Sequence, residues 1–599
     1  MYGSESGMNG SKAKTIKRQG KKPFPFLGNL AIALLFLFFI PLTAIPGQSQ
    51  KILPLSSDVY VEMDALYLIR GLATPSTSRP WTVSEARMIL DRIDASFLNY
   101  REKKLYDSIA AEINKPLRFL PENDFSFEVA LDLALEAYAH TNTEDFVLGE
   151  DWGYGYEERQ PPIKLSVEMG LYSWFYFFTD MQYGRNRYYK KDSFRSVEDI
   201  NQTLGAETSF SYDYSFPWKS WAYGSSFITN IPMELDEFDF DWPKRAAIAV
   251  GGEHWNLNIA RDKIQWGRGH SGNFVMDSHR DYDEYARFSA YSDRFKYEWL
   301  NVFYPVTGVD GVFKFFMAHR LEFRILPSLV FAISEDVMCR SEDFNLRYIN
   351  PAFIYHQWYD RSVFNSLAHM ELDFVPFGAY RLYSQLVIDQ FEAPWESADE
   401  PAAWGILAGV EHARPASAGI LCLSLEWAYT SPLLYRRDLL DFITLSAVNV
   451  NGASRNINID YTGYPYGGDA MVLQLDANCL FPGSAFVHAR LFGMIHGKMN
   501  YFISHNSDGD NSAWANLKSH TPSGDKDERE YTFGFSLGGN YSIPQPVSWF
   551  TMNVWTEIDF FFKKNKVMLS ETGTNENIIY HKKGGASDFQ FTVGLGIRI

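Results

Sequence analysis

From residue 125 to residue 599, apolar and polar residues alternate with a period of two. In the first such stretch Phe125, Phe127 and Val129 fall on one face, while Ser126 and Glu128 fall on the other. Successive side chains of a β-strand point to opposite faces, so the pattern predicts strands with one apolar and one polar side. Similar stretches recur at residues 163–171, 295–303, 369–377, 380–391, 404–414, 418–429, 470–481, 484–497, 531–543, 548–562 and 588–599.

Each of these stretches has about 9 to 14 residues, which matches a tilted strand that crosses a bilayer. We therefore predict a mainly β fold, a large antiparallel transmembrane β-barrel over residues 121–599. The copies of the pattern suggest about 18 strands, and an even number is expected of such barrels. The last stretch keeps its apolar face up to Ile599. It resembles the closing strand that the barrel assembly machinery reads, although that strand usually ends in an aromatic residue.

Aromatic residues are abundant, although the chain as a whole is not strongly apolar. Phe, Tyr and Trp make up 16% of the residues, while the mean hydropathy is −0.23. This combination excludes a helical membrane protein with many spans, and it is typical of barrels with aromatic girdles and a polar lumen. A secreted, carbohydrate-active β-protein is the competing class, because large soluble β-folds are also rich in aromatic residues.

The N-terminal residues have the order of a signal peptide. Six basic residues precede an apolar run over residues 27–45, and the small residues Thr43 and Ala44 follow Pro41. We predict a signal peptide over residues 1–44; the alternative is an uncleaved anchor, since the run is nearly long enough to span. These 44 residues also hold one acidic residue, so their removal takes the net charge from −18 to −23. Such a charge argues against a nucleic-acid partner.

Residues 51–120 have a helical pattern instead. Apolar residues of 57–73 recur near one face, Thr82 and Glu85 have the spacing of a capping box, and residues 101–113 form an amphipathic stretch before Pro116. We predict a small helical module, either a periplasmic domain or a plug of the barrel.

Long polar segments alternate with short turns between the predicted strands. A tight turn is expected at 481–484. In outer-membrane barrels the turns on the periplasmic side are short and the external loops are long. We therefore assign the long segments to the external side, at residues 141–162, 185–201, 234–244, 436–468 and 504–529.

Three stretches carry a resemblance to a known family. They are "DALYLIRGLA…SRPWTVSEARMIL" at residues 64–90, "RDKIQWGRGHSGNFVMDSHRDYDEYARFS" at residues 261–289, and "LRYINPAFIYH" at residues 346–356. The chain resembles the Wzi-type capsule assembly family of outer-membrane proteins. The resemblance implies an 18-stranded barrel in the outer membrane of a diderm bacterium, with helices on its periplasmic side. It also implies a non-catalytic, lectin-like surface for acidic polysaccharide.

The net charge of the chain is strongly negative, so the chain as a whole would repel an acidic ligand. Either the ligand differs, or its contact depends on local basic loops. The expected partners are surface polysaccharide, outer-membrane lipid and the assembly machinery, with the protein as a monomer. A porin-like uptake channel, favoured by the polar strand faces, is the alternative function.

Residues 261–289 form the densest polar cluster. Aromatic faces stack on sugar rings, and Arg, Asn and His donate directional hydrogen bonds, so this mixture suits a sugar site. A second candidate platform lies in residues 350–365, which break the period-two pattern and suggest a loop folded into the lumen. The structural alternative is an ion-pair network or plug inside the barrel. The candidate ligand-binding residues are Trp266, Arg268, His270, Asn273, Asp277, His279, Arg280, Tyr355, His356 and Trp358.

No sequence motif indicates catalysis or a cofactor. His270, His279 and Asp277 lack the spacing of a known metal site, and residues 507–512 lack the full EF-hand pattern. The chain has only three cysteines, too few for a disulfide framework. Abundant carboxylates leave a glycosidase pair open, but sequence gives no separation between them. We expect a protein that is not an enzyme and needs neither metal nor cofactor.

Overall fold

A computed structural model describes most of the chain beyond residue 47. The described residues are 48–117, 119–122, 125–146, 151–155, 158–183, 226–231, 240–304, 313–341, 350, 352, 354–355, 364–390, 402–416, 419–436, 440–450, 454–499, 520–545, 550–569 and 579–599. The predicted signal peptide, and the predicted loop at 185–201, lie outside them.

Three short helices form the N-terminal module, as the sequence predicts. They are α1 (Asp58–Ile69), α2 (Val83–Leu90) and α3 (Tyr100–Ile113). Each begins at a residue whose side chain accepts a hydrogen bond from the first turn: Ser57, Thr82 and Asn99. Such caps satisfy amide groups that have no partner within the helix. No helix among the described residues is long and apolar enough to cross a membrane.

Eighteen long strands of the described chain form one closed antiparallel barrel, which confirms the predicted fold class. In chain order they are β1 Phe125–His140, β2 Ile163–Leu171, β3 Phe175–Tyr183, β4 Ala246–Gly251, β5 Trp255–Asp262, β6 Asp283–Tyr291, β7 Phe295–Tyr304, β8 Phe313–Leu326, β9 Leu329–Ser341, β10 Phe364–Phe377, β11 Tyr380–Gln390, β12 Ala403–Pro415, β13 Ile420–Thr430, β14 Ala470–Phe481, β15 Ala485–His496, β16 Glu530–Ile543, β17 Thr551–Leu569 and β18 Ile579–Arg598.

The last strand closes the barrel on the first. β18 pairs with β1 in a register that runs from Gln590 opposite His140 to Arg598 opposite Asp132. Beyond that register, Ile599 and Leu131 exchange two backbone hydrogen bonds of 3.0 and 3.1 Å. Among the described strands the closure leaves no free edge, so each of the eighteen pairs with two neighbours.

Alternation along each strand separates an apolar outer face from a polar lumen. On β18, Phe589 and Leu595 are 47% and 38% exposed on the outside, whereas Gln590 and Thr592 are buried inside. The same division holds on β14, where Leu473 is exposed and Asp476 is buried. The outer wall therefore presents the apolar surface that a barrel needs in lipid.

The two ends of the barrel differ. At one end consecutive strands are joined by short turns, such as 327–328 and 378–379; we call this the short-turn end. At the other, the loop end, connections are long, and one of them contains a two-stranded hairpin, Ile443–Val450 with Ser454–Tyr461. The predicted loop at 436–468 is thus partly a hairpin.

The helical module covers the short-turn end. The Ala73 amide donates to the Pro327 carbonyl at 3.0 Å, and the Ser84 hydroxyl donates to the Glu253 carbonyl at 3.1 Å. The apolar core of the module includes a barrel residue from each of two strands, Ile420 and Leu480. The module and barrel therefore share one packed interface.

Candidate functional site

Two segments from opposite ends of the barrel meet in its lumen. The inward loop, residues 263–282, connects β5 and β6 at the loop end and folds into the lumen. The strap, residues 70–82, connects α1 and α2 and enters from the short-turn end. The two join through a two-residue antiparallel sheet, in which Ser78–Arg79 pairs with Gln265–Trp266. The lumen is thus occupied where the segments meet.

Trp266 and Gly267 form the turn at the tip of this junction. The Trp266 side chain is fully buried, and the guanidinium of Arg320, from β8, lies 5.9 Å from its ring. Gly267 has a φ of +111°, and a Cβ at this position would overlap Asn273 and Gln385. The turn therefore requires glycine, because other residues rarely adopt this backbone conformation.

Arg268 joins the helices to the barrel wall. Its guanidinium donates to Asp64 of α1 at 3.1 Å and to Asp373 of β10 at 2.9 Å, and it lies 4.0 Å from Glu411 of β12. Burial alone would raise the pKa of Asp64, but Arg268 and Arg79 hold that pKa well below its usual range. Arg268 is thus the centre of a buried ion-pair network.

His270 continues the network toward β13. Its Nε2 lies 2.7 Å from Glu411 Oε1, and its backbone amide donates to Glu426 at 2.8 Å. Burial alone would lower the pKa of His270, but the hydrogen bond to Glu411 and the nearby carboxylates raise it to about 9. The imidazole is therefore charged at neutral pH, and 27% of its side chain remains exposed.

The other predicted residues of the inward loop bond mainly to one another. Asn273 donates to Asp277 at 2.8 Å, and the Asp277 carboxylate accepts the backbone amide of His279 at 3.0 Å. Arg280 pairs with Asp283 at 2.7 Å. Asn273, Asp277 and Arg280 are buried, so direct contact with a ligand stays a prediction for them. The structure joins these residues in small groups: Arg268 with His270 through Glu411, and Asn273 with His279 through Asp277.

Tyr355 lies on the outer face of the barrel wall, so the predicted lumenal position is wrong for this residue. Its amide donates to Glu335 of β9 at 3.1 Å, and its ring stacks on His319 of β8. His319 and Glu335 face outward, because they alternate with the lumenal residues Arg320 and Asp336. The other two candidates of this platform, His356 and Trp358, lie outside the described residues.

A basic cluster that the sequence analysis did not single out lies at the loop end. We call it the basic ridge, and its members are Lys498, Arg529, Lys564, Lys582 and Lys583. Lys582 and Lys583 belong to β18, which runs past the barrel together with β17. The sequence does indicate this cluster, through the runs "KKNK" at 563–566 and "HKK" at 581–583.

The ridge lysines are accessible, and their partners are weakly held. The side chains of Lys498, Lys582 and Lys583 are 48%, 48% and 78% exposed. Lys498 pairs with Glu528, and Lys583 pairs with Asp527, both at 2.9 Å. Exposed pairs of this kind contribute little to stability, so Lys498 and Lys583 are available to an anionic ligand. Lys582 pairs with Asp145, whose side chain is only 13% exposed. No group of three or more potential metal ligands occurs among the described residues.

These observations define a class: a closed β-barrel of the outer-membrane type, with a helical module at one end and a lumen that its own segments enter. The sequence matches no family model, and it matches no curated protein.

Solved structures share this fold. Wzi, described as an outer membrane protein involved in group 1 capsule assembly in Escherichia coli and a carbohydrate-binding β-barrel, aligns with 92% of this chain and 99% of its own. The TM-score is 0.51 and the identity 14%, so the match concerns the fold alone. It agrees with the family resemblance seen in the sequence.

Outer-membrane channels match less well. OprD of Pseudomonas aeruginosa aligns with 79% of this chain and 95% of its own, at 7% identity and a TM-score of 0.37. DcaP of Acinetobacter baumannii aligns with 81% and 100%, at 7% identity and a TM-score of 0.31.

Proposed function

We propose that this protein is a non-catalytic outer-membrane barrel that binds an acidic surface polysaccharide, capsular or secreted, at its loop end. The apolar outer wall and the barrel fold support the membrane location in a diderm bacterium. In such barrels the short turns face the periplasm. The helical module then lies on the periplasmic side, and the basic ridge faces the outside of the cell.

The basic ridge is the observation that carries the proposed ligand. It places several exposed cations together in a chain whose net charge is −18. Lysine ammonium groups can exchange their exposed carboxylate partners for the carboxylates of a uronate polymer. The fold adds support, because Wzi is described as carbohydrate-binding.

Occupation of the lumen argues against a channel. The inward loop contacts residues of β10, β12, β13 and β14 in the lumen, and its partners include the buried side chains of Asp373 and Gln474. These contacts hold the inward loop across the lumen, where it takes up part of the cross-section that a solute would need. A porin-like channel predicts stepwise conductance in a planar bilayer, and we expect none.

Binding of a uronate polymer to the purified barrel tests the proposal. We would measure the affinity of polygalacturonate and of neutral dextran for the wild-type protein in detergent. The variant Lys498→Gln/Lys583→Gln removes two ridge lysines whose partners are exposed, and Lys103→Gln/Lys115→Gln removes two exposed lysines of α3 and its C-terminal end. We expect several-fold weaker polygalacturonate binding in the ridge variant only. Equal loss in both variants, or equal binding of dextran, would contradict the proposal.

A further inference from the structure

A cleft lies where the helical module meets the rim of the barrel at the short-turn end. It is a narrow cleft, open to solvent, between the end of α2, the turn that joins β6 to β7, and the last residues of β8. We call it the rim cleft. Its charged lining residues include Glu85, Arg92, Arg294, Lys296 and Arg324.

The lumenal side of the rim cleft is neutralised by internal ion pairs. Lys296 Nζ lies 2.7 Å from Glu85 Oε1, and Arg320 lies 2.6 Å from Glu322. At the outer side, three guanidinium groups, those of Arg92, Arg294 and Arg324, face a single carboxylate. That carboxylate, Asp293, is 80% exposed, so solvent screens most of its charge.

Arg92 lines the cleft, and only part of its guanidinium forms hydrogen bonds. Its Nη2 donates to the Ser292 carbonyl at 3.0 Å and to Asp293 at 3.2 Å. Its Nε and Nη1 atoms are buried and have no hydrogen-bond partner, and only 12% of the side chain is exposed. Buried donors without acceptors are costly. A rotation of the Arg92 side chain toward the cleft would bring them to an oxyanion acceptor there.

The two other arginines complete the cationic side of the cleft. Arg324 Nη2 donates to the Pro327 carbonyl at 3.4 Å, and its guanidinium also meets Tyr67, whose ring centroid is 6.0 Å away. The Arg294 side chain forms no hydrogen bond or ion pair with any residue that the structure describes. Guanidinium groups match the geometry of phosphate oxygens, which they bind through paired hydrogen bonds.

The position of the cleft indicates the source of the phosphate. Directly beside it, Phe295, Phe323 and Ile325 face outward and are 38%, 38% and 59% exposed. These residues end the apolar wall at the short-turn end. Basic side chains next to that boundary lie at the level of lipid headgroups, where they commonly contact anionic lipids.

We propose that the rim cleft binds the phosphate of an anionic phospholipid from the leaflet that surrounds the short-turn end. Arg92 and Arg324 hold the phosphate oxygens, Arg294 adds charge at the entrance, and the acyl chains lie along Phe295 and Phe323. The bound lipid thereby joins the helical module to the barrel rim. This inference rests on the proposed membrane location and is independent of the polysaccharide ligand.

Native mass spectrometry of the whole protein in detergent tests the site. Phosphatidylglycerol, phosphatidylcholine and soluble glycerol phosphate would be titrated separately. We expect one phosphatidylglycerol to be retained per chain, about tenfold more tightly than phosphatidylcholine, and weak binding of glycerol phosphate. Equal retention of the two lipids would overturn the proposal. Glycerol phosphate binding as tight as that of phosphatidylglycerol would overturn the assignment to a lipid.

Arginine variants locate the binding. Arg92→Gln and Arg324→Gln should each weaken phosphatidylglycerol retention about tenfold. Arg87→Gln, on the same helix as the cleft wall but bonded to Asn114, should leave it unchanged. A retained heat-dependent gel shift shows that each variant is folded. Polygalacturonate binding should be normal in Arg92→Gln, so the two proposals fail separately. Unchanged lipid retention in both cleft variants would rule out the site.

Discussion

His319 and Tyr355 stack nearly face to face on the outside of the barrel, with ring centroids 4.9 Å apart and planes inclined by 17°. Behind them His319 Nε2 lies 2.7 Å from Glu335. An ionisable pair on the outer face is costly in lipid. The ring of Tyr355 is fully buried against this pair, so it covers part of it and leaves 18% of each of the two side chains exposed.

We expect Tyr355→Ala to lower the free energy of unfolding by about 3 kcal/mol, since it removes a buried aromatic ring and uncovers the pair. Urea unfolding in lipid vesicles, followed by the gel shift, measures the change. Tyr355→Phe keeps the ring and should cost less than about 1 kcal/mol. Equal losses in both variants would show that the stacking does not matter.

Removal of the Arg268 guanidinium should be among the most damaging single changes. Arg268→Gln leaves Asp64, Asp373 and Glu411 as buried carboxylates without their shared cation, at a cost of roughly 3–5 kcal/mol. The helical module should then exchange its amide hydrogens faster, which hydrogen–deuterium exchange of α1 would detect. Arg268→Lys keeps the charge but loses the paired hydrogen bonds, so an intermediate effect is expected. Wild-type exchange in Arg268→Gln would contradict the network.

His270 makes stability depend on alkaline pH. Its pKa rises to about 9 in the folded protein, compared with about 6.5 in an unfolded chain. The folded state therefore binds the proton more tightly, and the resulting stability is fully present below about pH 6.5 and is lost as the pH rises through 9. Urea unfolding from pH 6 to pH 10 should show this loss, and His270→Gln should reduce it. An unaltered pH profile in that variant would contradict the assignment of this pH dependence to His270.

Glu62 of α1 should make the free energy of unfolding depend on pH over a more acidic range than His270 does. Burial, together with the charge of Asp58, raises its pKa to about 7, although the hydrogen bond from Ser108 opposes the shift. Stability is therefore lost as the pH rises from about 4.5 through 7. Glu62→Gln should stabilise the protein at pH 8 by about 1–3 kcal/mol. The exposed residue Glu112 serves as the control, because Glu112→Gln should change stability by less than about 0.5 kcal/mol.

The barrel could be predicted from sequence because alternation is a local property. The parity of residues such as Leu473 and Asp476 assigns each to its face without knowledge of any neighbour. The pattern did not identify β8 and β9 as strands. Their outward polar residues His319 and Glu335 break the alternation, and only contact with Tyr355 makes them compatible with an outer wall.

Local sequence patterns could not predict which distant residues bond to the candidate site. Thr82 caps α2 as its spacing predicts, accepting from the Glu85 amide at 3.2 Å. The Glu85 carboxylate does not return to the cap but pairs with Lys296, 211 residues away. Likewise the polar cluster of the inward loop was recognised, whereas its carboxylate partners on distant strands become known only from the fold.

Closure between β1 and β18 also has a consequence for assembly of the barrel. Leu131 and Ile599 hydrogen-bond to each other, although nearly the whole barrel sequence separates them. Every other pair of neighbouring barrel strands is consecutive in the sequence, so its two strands can pair locally. Until these two strands meet, each of them has one unpaired side. β1 and β18 are therefore the two strands that need temporary partners before the barrel closes.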